Sequence, residues 1–292
     1  MGEAMYELRY EEPATLDAAI GLITAEAGDV RILSGGTDVL VQMHCDMIEP
    51  ALLVNIKNIG EMRSIEKDRG GYRIGAAVTG MELVNHPDFG NDWPGILDGV
   101  RLIGSIQVKG RATVAGNLCN ASPAADSVPP LMTAGAIAHV VGPNGARDIP
   151  VTAFTTGPGQ TALEKGEIVV SFSLPERAPR SGDAYLRFTP RTEMDIAVVG
   201  VAINLTLDDG GTCTDALVAL GAVAEKALMV DAAGAALVGT KLDDTAMQNL
   251  AAAASAACRP IDDKRGTKEY RIKVAGVLAR RAAAIAATRA GA

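Results

Sequence analysis

The spacing of apolar positions changes repeatedly along this chain, and the changes mark its elements. Leu16, Ala19, Ile20 and Ile23 recur at helical spacing behind Thr15, a natural cap, and Gly28 is a natural stop. Val30–Leu33 reads as a short strand running into Gly35 and Gly36, and residues 51–59 (ALLVNIKNI) as a second. This strand–loop–helix order predicts an α/β unit. Tyr72–Ala77 reads as a strand, and Thr79 with Glu82 has capping-box spacing. Ile96, Leu97, Val100 and Ile103 share a helical face that ends before Gly104. Residues 131–136 predict a short helix, 137–141 a strand and 143–146 a turn. Between Glu167 and Leu174, the residues Ile168, Val170, Phe172 and Leu174 alternate as in a strand with one buried face.

Beyond Pro175 the style changes. Residues 175–183 (PERAPRSGD) read as a linker, dividing the chain into 1–177, with subdomains of about 1–59 and 60–177, and 178–292. Residues 196–207 and 212–223 predict two long strands joined by a hairpin at 208–211 (DDGG). The remainder is alanine-rich and helical, at about 226–237, 245–258 and 267–288. The last helix sets Tyr270, Val274, Val277, Leu278, Arg281 and Ile285 near one face. The fold class expected is α+β.

Composition narrows the function classes. Apolar residues make up 48% and charged ones 21%, as in a globular protein, and the net charge of −8 argues against nucleic acid or an anionic membrane surface. The longest stretch free of Asp, Glu, Lys and Arg, 127–146, contains Pro129, Pro130 and Pro143 and is a poor membrane span. The opening MGEAMYELRY lacks the basic start and apolar core of a leader, so a cytoplasmic protein is expected. Cys45, Cys119, Cys213 and Cys258 are scattered, as are His44, His86 and His139, so no metal or iron–sulfur spacing is present.

The candidate chemistry lies in two small-residue loops. The first is Leu33, Ser34, Gly35, Gly36, Thr37, Asp38 and Val39; the second is Thr113, Val114, Ala115, Gly116 and Asn117, followed by Ser122 and Asp126. Glycine lets backbone approach a ligand, and N–H groups at such turns suit a phosphate or diphosphate. Taken singly, each loop also fits a plain glycine or Asx turn, and Asp126 a helix cap. Neither matches GxGxxG or GxxxxGK[ST], so the Rossmann and P-loop fingerprints are missing. Two such loops predict one long ligand spanning both. Alternation over Ala184–Phe188 places Tyr185 and Arg187 on one strand face, where simple exposure to solvent is the plainer expectation.

SGGTDVLVQM, TVAGNLCNASPAADSVPPL and AYLRFTPRTEMDIAVVGVA follow in that order, and together they resemble the FAD-binding medium subunit of the molybdenum hydroxylases, the xanthine dehydrogenase and aerobic carbon monoxide dehydrogenase family. The resemblance covers essentially the whole chain. It implies an FAD-binding domain of two α/β subdomains (PCMH-like), followed by a C-terminal domain of antiparallel sheet plus helices. It implies FAD held at Leu33–Val39 and Thr113–Asn117, with Asp126 as a further polar contact beside the Ser122 hydroxyl; with no His or Cys within either glycine loop, non-covalent attachment is expected. Ile103 would lie near the flavin or adenine, and Val170 near the ring. Tyr185 and Arg187 would approach the isoalloxazine, where a cation favours the reduced flavin. Asp195 is expected to pair locally with Arg191 rather than act in catalysis. Ala115 stands where many relatives carry glycine.

The function implied is an electron-transfer subunit of an oxidoreductase. Its partners would be a large molybdopterin-binding subunit and a small [2Fe–2S] subunit, in a dimer of heterotrimers. The molybdenum cofactor and the clusters would reside only in those partners. Two other readings stand beside it. A stand-alone FAD reductase or oxidase of the same wider flavin fold would need its own acid/base set. A flavin-free assembly subunit would not need intact glycine loops.

Overall fold

Three sheets, each with its own helices, and one two-stranded ribbon make up the computed structural model, which describes residues 8–291. Residues 1–7, within the segment read for a leader, lie outside that range. Among the described residues no helix is long and apolar enough to cross a membrane.

The first unit contains β1 (Arg9–Glu11), α1 (Leu16–Ala25), β2 (Val30–Leu33), α2 (Val39–His44) and β3 (Leu52–Asn55). β3 is the middle strand of a parallel sheet ordered β1-β3-β2. It is buried along its length, which explains its unbroken apolar run. The Thr15 hydroxyl accepts a hydrogen bond from the Ala18 N–H and caps α1, whose Ala19 and Ile23 are buried. The partner strand β1 carries charged residues, and no apolar run announces it.

The second unit is an antiparallel sheet ordered β4-β5-β10-β6-β7. Its strands are β4 (Ile65–Asp68), β5 (Gly71–Gly75), β6 (Ile137–Gly142), β7 (Gly145–Pro150) and β10 (Ile168–Leu174). Between β5 and β6 run α3 (Gly80–Val84), α4 (Phe89–Asp92), α5 (Pro94–Arg101), α6 (Ile106–Lys109), α7 (Val114–Cys119) and α8 (Val128–Thr133). After β7 come α9 (Val151–Phe154) and the ribbon β8 (Thr155–Gly157) and β9 (Gln160–Thr161). The Thr79–Glu82 capping box is present at α3. β10 corrects the one-faced reading: as the central strand it buries Val169 and Ser171 as well as Ile168, Val170, Phe172 and Leu174. A bulge between Val169 and Ser171 breaks its period against β6.

The third unit is an antiparallel sheet ordered β11-β12-β13-β14, comprising β11 (Ser181–Phe188), β12 (Val199–Leu207), β13 (Cys213–Gly221) and β14 (Leu228–Met229). It is covered by α10 (Asp231–Ala235), α11 (Asp244–Ala257) and α12 (Lys268–Arg289). The hairpin at Asp208–Gly211 is present, closed by the Asp208 N–H donating to the Thr212 carbonyl at 2.9 Å. Three expectations are corrected. The linker ends early, because β11 already begins at Ser181 and Asp183 is buried within it. The helix expected at 226–237 is instead β14, which extends the sheet beside Ala219 and Leu220, followed by a short α10. The buried positions of α12 are chiefly alanines, Ala275, Ala279, Ala282, Ala283 and Ala286; of the expected face Leu278 is buried with them, while Tyr270 and Val277 are exposed. The cause at the C-terminal half is close packing: a Cβ on Gly182 of β11 would stand 1.9 Å from the Ala286 carbonyl oxygen, so there helix and sheet meet through small residues.

The second and third units are joined by buried polar contacts. Asp183 pairs with Arg177 at 2.8 Å and accepts the Gly95 N–H at 2.9 Å. Arg289, at the end of α12, bonds Asp98 at 2.6 Å and the Asp183 carbonyl at 2.7 Å. These bonds fix α5 against β11.

Candidate functional site

The turn after β2 and the turn before α7 press against each other. A Cβ on Gly35 would lie 2.3 Å from the Arg111 carbonyl oxygen and 2.8 Å from the Ala112 Cα, so only glycine permits the crossing. Hydroxyls stitch it together. Ser34 donates to the Ala76 carbonyl at 3.0 Å, which leaves Thr113 as the donor in the 3.0 Å bond between Thr113 Oγ1 and Ser34 Oγ. Thr113 Oγ1 in turn accepts the Gly116 N–H at 2.9 Å, capping α7. Gly36 has φ +81°, which glycine adopts freely.

A cleft of about 280 Å³ opens beside this crossing. One wall is Ser34 to Val39 with Gln42; the other is Thr113, Ala115, Gly116 and Asn117 with Asn120. Gln42 Nε2 donates to Asn120 Oδ1 at 3.3 Å and links the two. Ile32, Ile56, Ile103, Leu163, Ile168 and Val169 supply the apolar lining. Among the described residues, the backbone N–H groups of Gly35, Gly36, Thr37 and Asp38 have no protein acceptor. Four such donors on a small-residue turn are the donor set a diphosphate needs. Burial raises the Asp38 carboxyl above its usual range. Cys119 also lines the cleft; burial pushes its thiol up to about 12, so it stays neutral near pH 7.

Of the sequence-based candidates, Ser34, Gly35, Gly36, Thr37, Asp38, Val39, Ile103, Thr113, Ala115, Gly116 and Asn117 line this cleft. Leu33, Val114, Ser122, Asp126, Val170, Tyr185 and Arg187 are not among its lining residues. Leu33 and Val114 are buried. Val170 is buried next to the bulge in β10, and its neighbours Ile168 and Val169 reach the cleft instead. The Ser122 hydroxyl accepts the Ala124 N–H at 3.3 Å in a local turn. Ala76, Ala112 and Leu163 join the lining without any motif to announce them, and Cys119 joins it from within TVAGNLCNASPAADSVPPL.

Asp126, Tyr185 and Arg187 form a second constellation. Tyr185 and Arg187 do share a strand face, but that face is not in solvent: Tyr185 is 2% exposed and the Arg187 side chain 5%. Both converge on Asp126, itself buried. The Tyr185 hydroxyl donates to Oδ1 at 2.8 Å, and Arg187 Nη1 pairs with Oδ2. Asp126 therefore caps no helix; the N-cap of α8 is Ser127. Burial pushes the Asp126 carboxyl up to about 6, against the opposing pull of Arg187 and Tyr185. The Tyr185 phenol is raised well above its usual value, first by burial and then by the Asp126 charge. The cluster touches the cleft wall through Ser127, whose hydroxyl donates to Asn117 Oδ1 at 2.7 Å. Asp195 pairs with Arg191 at 3.4 Å, the local role expected for it.

The chain as a whole matches known proteins. Residues 5–177 match the family model described as the FAD binding domain in molybdopterin dehydrogenase, and residues 184–286 match the CO dehydrogenase flavoprotein C-terminal domain. The chain is 33% identical to the carbon monoxide dehydrogenase medium chain of Afipia carboxidovorans over 96% of its own length and 97% of that protein's. It is 30% identical to the putative xanthine dehydrogenase FAD-binding subunit of Escherichia coli K12, covering 97% of each. A chain of reconstituted CO dehydrogenase from Oligotropha carboxidovorans superposes with a TM-score of 0.93 at 32% identity, over 99% of this chain and 100% of that one. The chain thus has full-length counterparts in which an FAD-binding domain is followed by a flavoprotein C-terminal domain, and it belongs to the FAD-binding subunit family of the molybdopterin dehydrogenases.

Proposed function

We propose that this chain is the electron-transfer flavoprotein subunit of a heteromeric molybdenum hydroxylase. A large molybdopterin-binding subunit would oxidise the substrate, and a small subunit would relay electrons through [2Fe–2S] clusters. This chain would hand them to an external acceptor such as NAD, a quinone or oxygen. The complex would be a cytoplasmic dimer of heterotrimers. FAD, when bound, supplies an acceptor able to take electrons singly and release them in pairs.

The observation that carries the reading is the crossing of the two loops, which leaves four backbone donors without protein partners in the wall of one cleft. Gly35–Asp38 and the Thr37 hydroxyl would hold the diphosphate from one side, and the first turn of α7 from the other. Ile103, Ile168 and Val169 offer apolar contact to the rings. Asp126 and Arg187 are assigned to the ring end of the ligand, coupled to the cleft through Ser127 and Asn117. The neutral Cys119 thiol favours non-covalent attachment. A division into 1–177 and 178–292 suits the separate apolar cores, although Tyr185, Ala202 and Ala219 of the third unit pack into the first core.

The test is purification with the neighbouring gene products. Flavin absorbance near ~370 and ~450 nm, released intact by acid, is expected, together with molybdenum and iron in the same particle. A colourless chain that recruits neither metal-bearing subunit would overturn the reading.

A further inference from the structure

A second cavity, of about 640 Å³, lies on the other side of the loop crossing and shares only Ser34 with the lining of the first. Its lining is cationic in a chain of net charge −8: Lys57, Arg63 and Arg111 face one carboxylate, Glu82. Arg63 is engaged, paired with Glu82 and donating to the Ala77 carbonyl at 3.4 Å. Glu82 is further tied up in the Thr79 capping box. Among the described residues, neither the Lys57 ammonium nor the Arg111 guanidinium has a hydrogen-bond or ion-pair partner. Burial lowers the Lys57 pKa; Glu12 opposes this, while Arg111 and Arg63 add to it as like charges. Three cations gathered at one opening, with only one carboxylate in the lining, gain most from a ligand with adjacent negative groups.

We infer that this cavity is a binding site for a compact diphosphate-type anion, separate from the dinucleotide cleft. The size falls within the range of small-ligand pockets. No aromatic side chain lines it, and Met81 is its one large apolar residue, so the anion rather than a base or ring is the recognised part. An unpaired lysine beside a guanidinium fork offers both a point charge and a bidentate partner to adjacent phosphoryl oxygens.

The test is calorimetric titration of the FAD-loaded protein with inorganic pyrophosphate, with flavin absorbance followed in parallel. One saturable site per chain, weakening as salt is raised and releasing no flavin, is expected. Lys57→Ala and Arg111→Ala should each weaken binding by about tenfold, while Lys241→Ala, removing an exposed cation elsewhere, should not. ADP run as a second arm identifies the source: tighter than pyrophosphate points to a nucleotide, equal affinity to the free ion, and both uphold the site. Circular dichroism of each variant checks that the fold is intact. Absence of saturation at millimolar pyrophosphate, release of FAD by it, or equal binding by the Lys57→Ala and Arg111→Ala variants would each overturn the inference.

Discussion

The chain's two polar constellations are built on opposite rules. At the loop crossing, side chains are small and the backbone carries the chemistry: hydroxyls satisfy one another, and four N–H groups remain without protein partners. At Asp126, large side chains satisfy each other, leaving the carboxylate with a tyrosine on one oxygen and an arginine on the other. The first is shaped around something outside the chain. The second is stable by itself and holds the third unit against the second. Loss of one member should therefore hurt ligand retention at the crossing and folding at the carboxylate.

The largest expected effect is on folding. Asp126→Ala strands the buried Arg187 cation, a change of the kind that costs about 3–5 kcal/mol, read as a lower urea midpoint. Asp126→Asn keeps a hydrogen-bond partner for Tyr185 and should lose less. If the two variants unfold alike, the hydrogen bond to Tyr185 contributes nothing beyond the lost charge pairing with Arg187. Next is Gly35→Ala. Its methyl meets backbone rather than a flexible side chain, so the loops must part. A stability loss of about 1–3 kcal/mol should accompany loss of flavin on dialysis; a variant that retains full FAD would deny the crossing its role. Gly116→Val should separate the two effects. A Cβ there meets only Thr113 Oγ1 within 4 Å, at 3.0 Å, because the position fronts the cleft. Flavin retention should fall sharply while the melting temperature of the flavin-free protein stays nearly unchanged.

The same contrast decides how much could be read from the sequence. The two loops were legible as a pair, because both carry glycine and small polar residues where either alone also fits a plain turn; their direct crossing was not, since nothing in the sequence sets Gly35 against Arg111. The strands around it were legible wherever burial is one-sided or complete. Alternation alone does not register the bulge in β10, beside which Val170 is buried while Ile168 and Val169 line the cleft. On α12 the large apolar residues do not mark the packed face, because close approach of Gly182 to Ala286 selects small residues there. Burial of Tyr185 and Arg187 was equally hidden: an aspartate 59 positions before Tyr185 neutralises the face, and period-two spacing carries no trace of it.

Acid titration gives a smaller effect with a definite sign. The Asp126 carboxyl has a folded-state pKa of about 6, above its ordinary 3.8. The folded state therefore holds this proton more tightly than the unfolded one. The resulting stabilisation is fully present below about 3.8 and is lost as pH rises through about 6. The stability of the parent protein minus that of Asp126→Asn should accordingly fall across this window and level off above it. A difference that rises with pH there would mean that Arg187 outweighs burial.

The smallest expected effect concerns the flavin potential, and the pairing reverses a simple expectation. An isolated cation at Arg187 would raise the potential, so Arg187→Met would lower it. Here the cation is matched by Asp126. Without Arg187, its downward pull on the carboxyl is gone, and burial drives Asp126 further toward its neutral form. One positive and one negative charge then vanish together, so the local field changes little. Asp126→Asn does the opposite, leaving the cation unmatched, and should raise the potential. Redox titration of both variants at pH 7 should give a small shift for Arg187→Met and a larger, positive one for Asp126→Asn. A large negative shift for Arg187→Met would mean that its charge reaches the flavin unneutralised, and the two residues would then have to be treated as independent rather than as a pair.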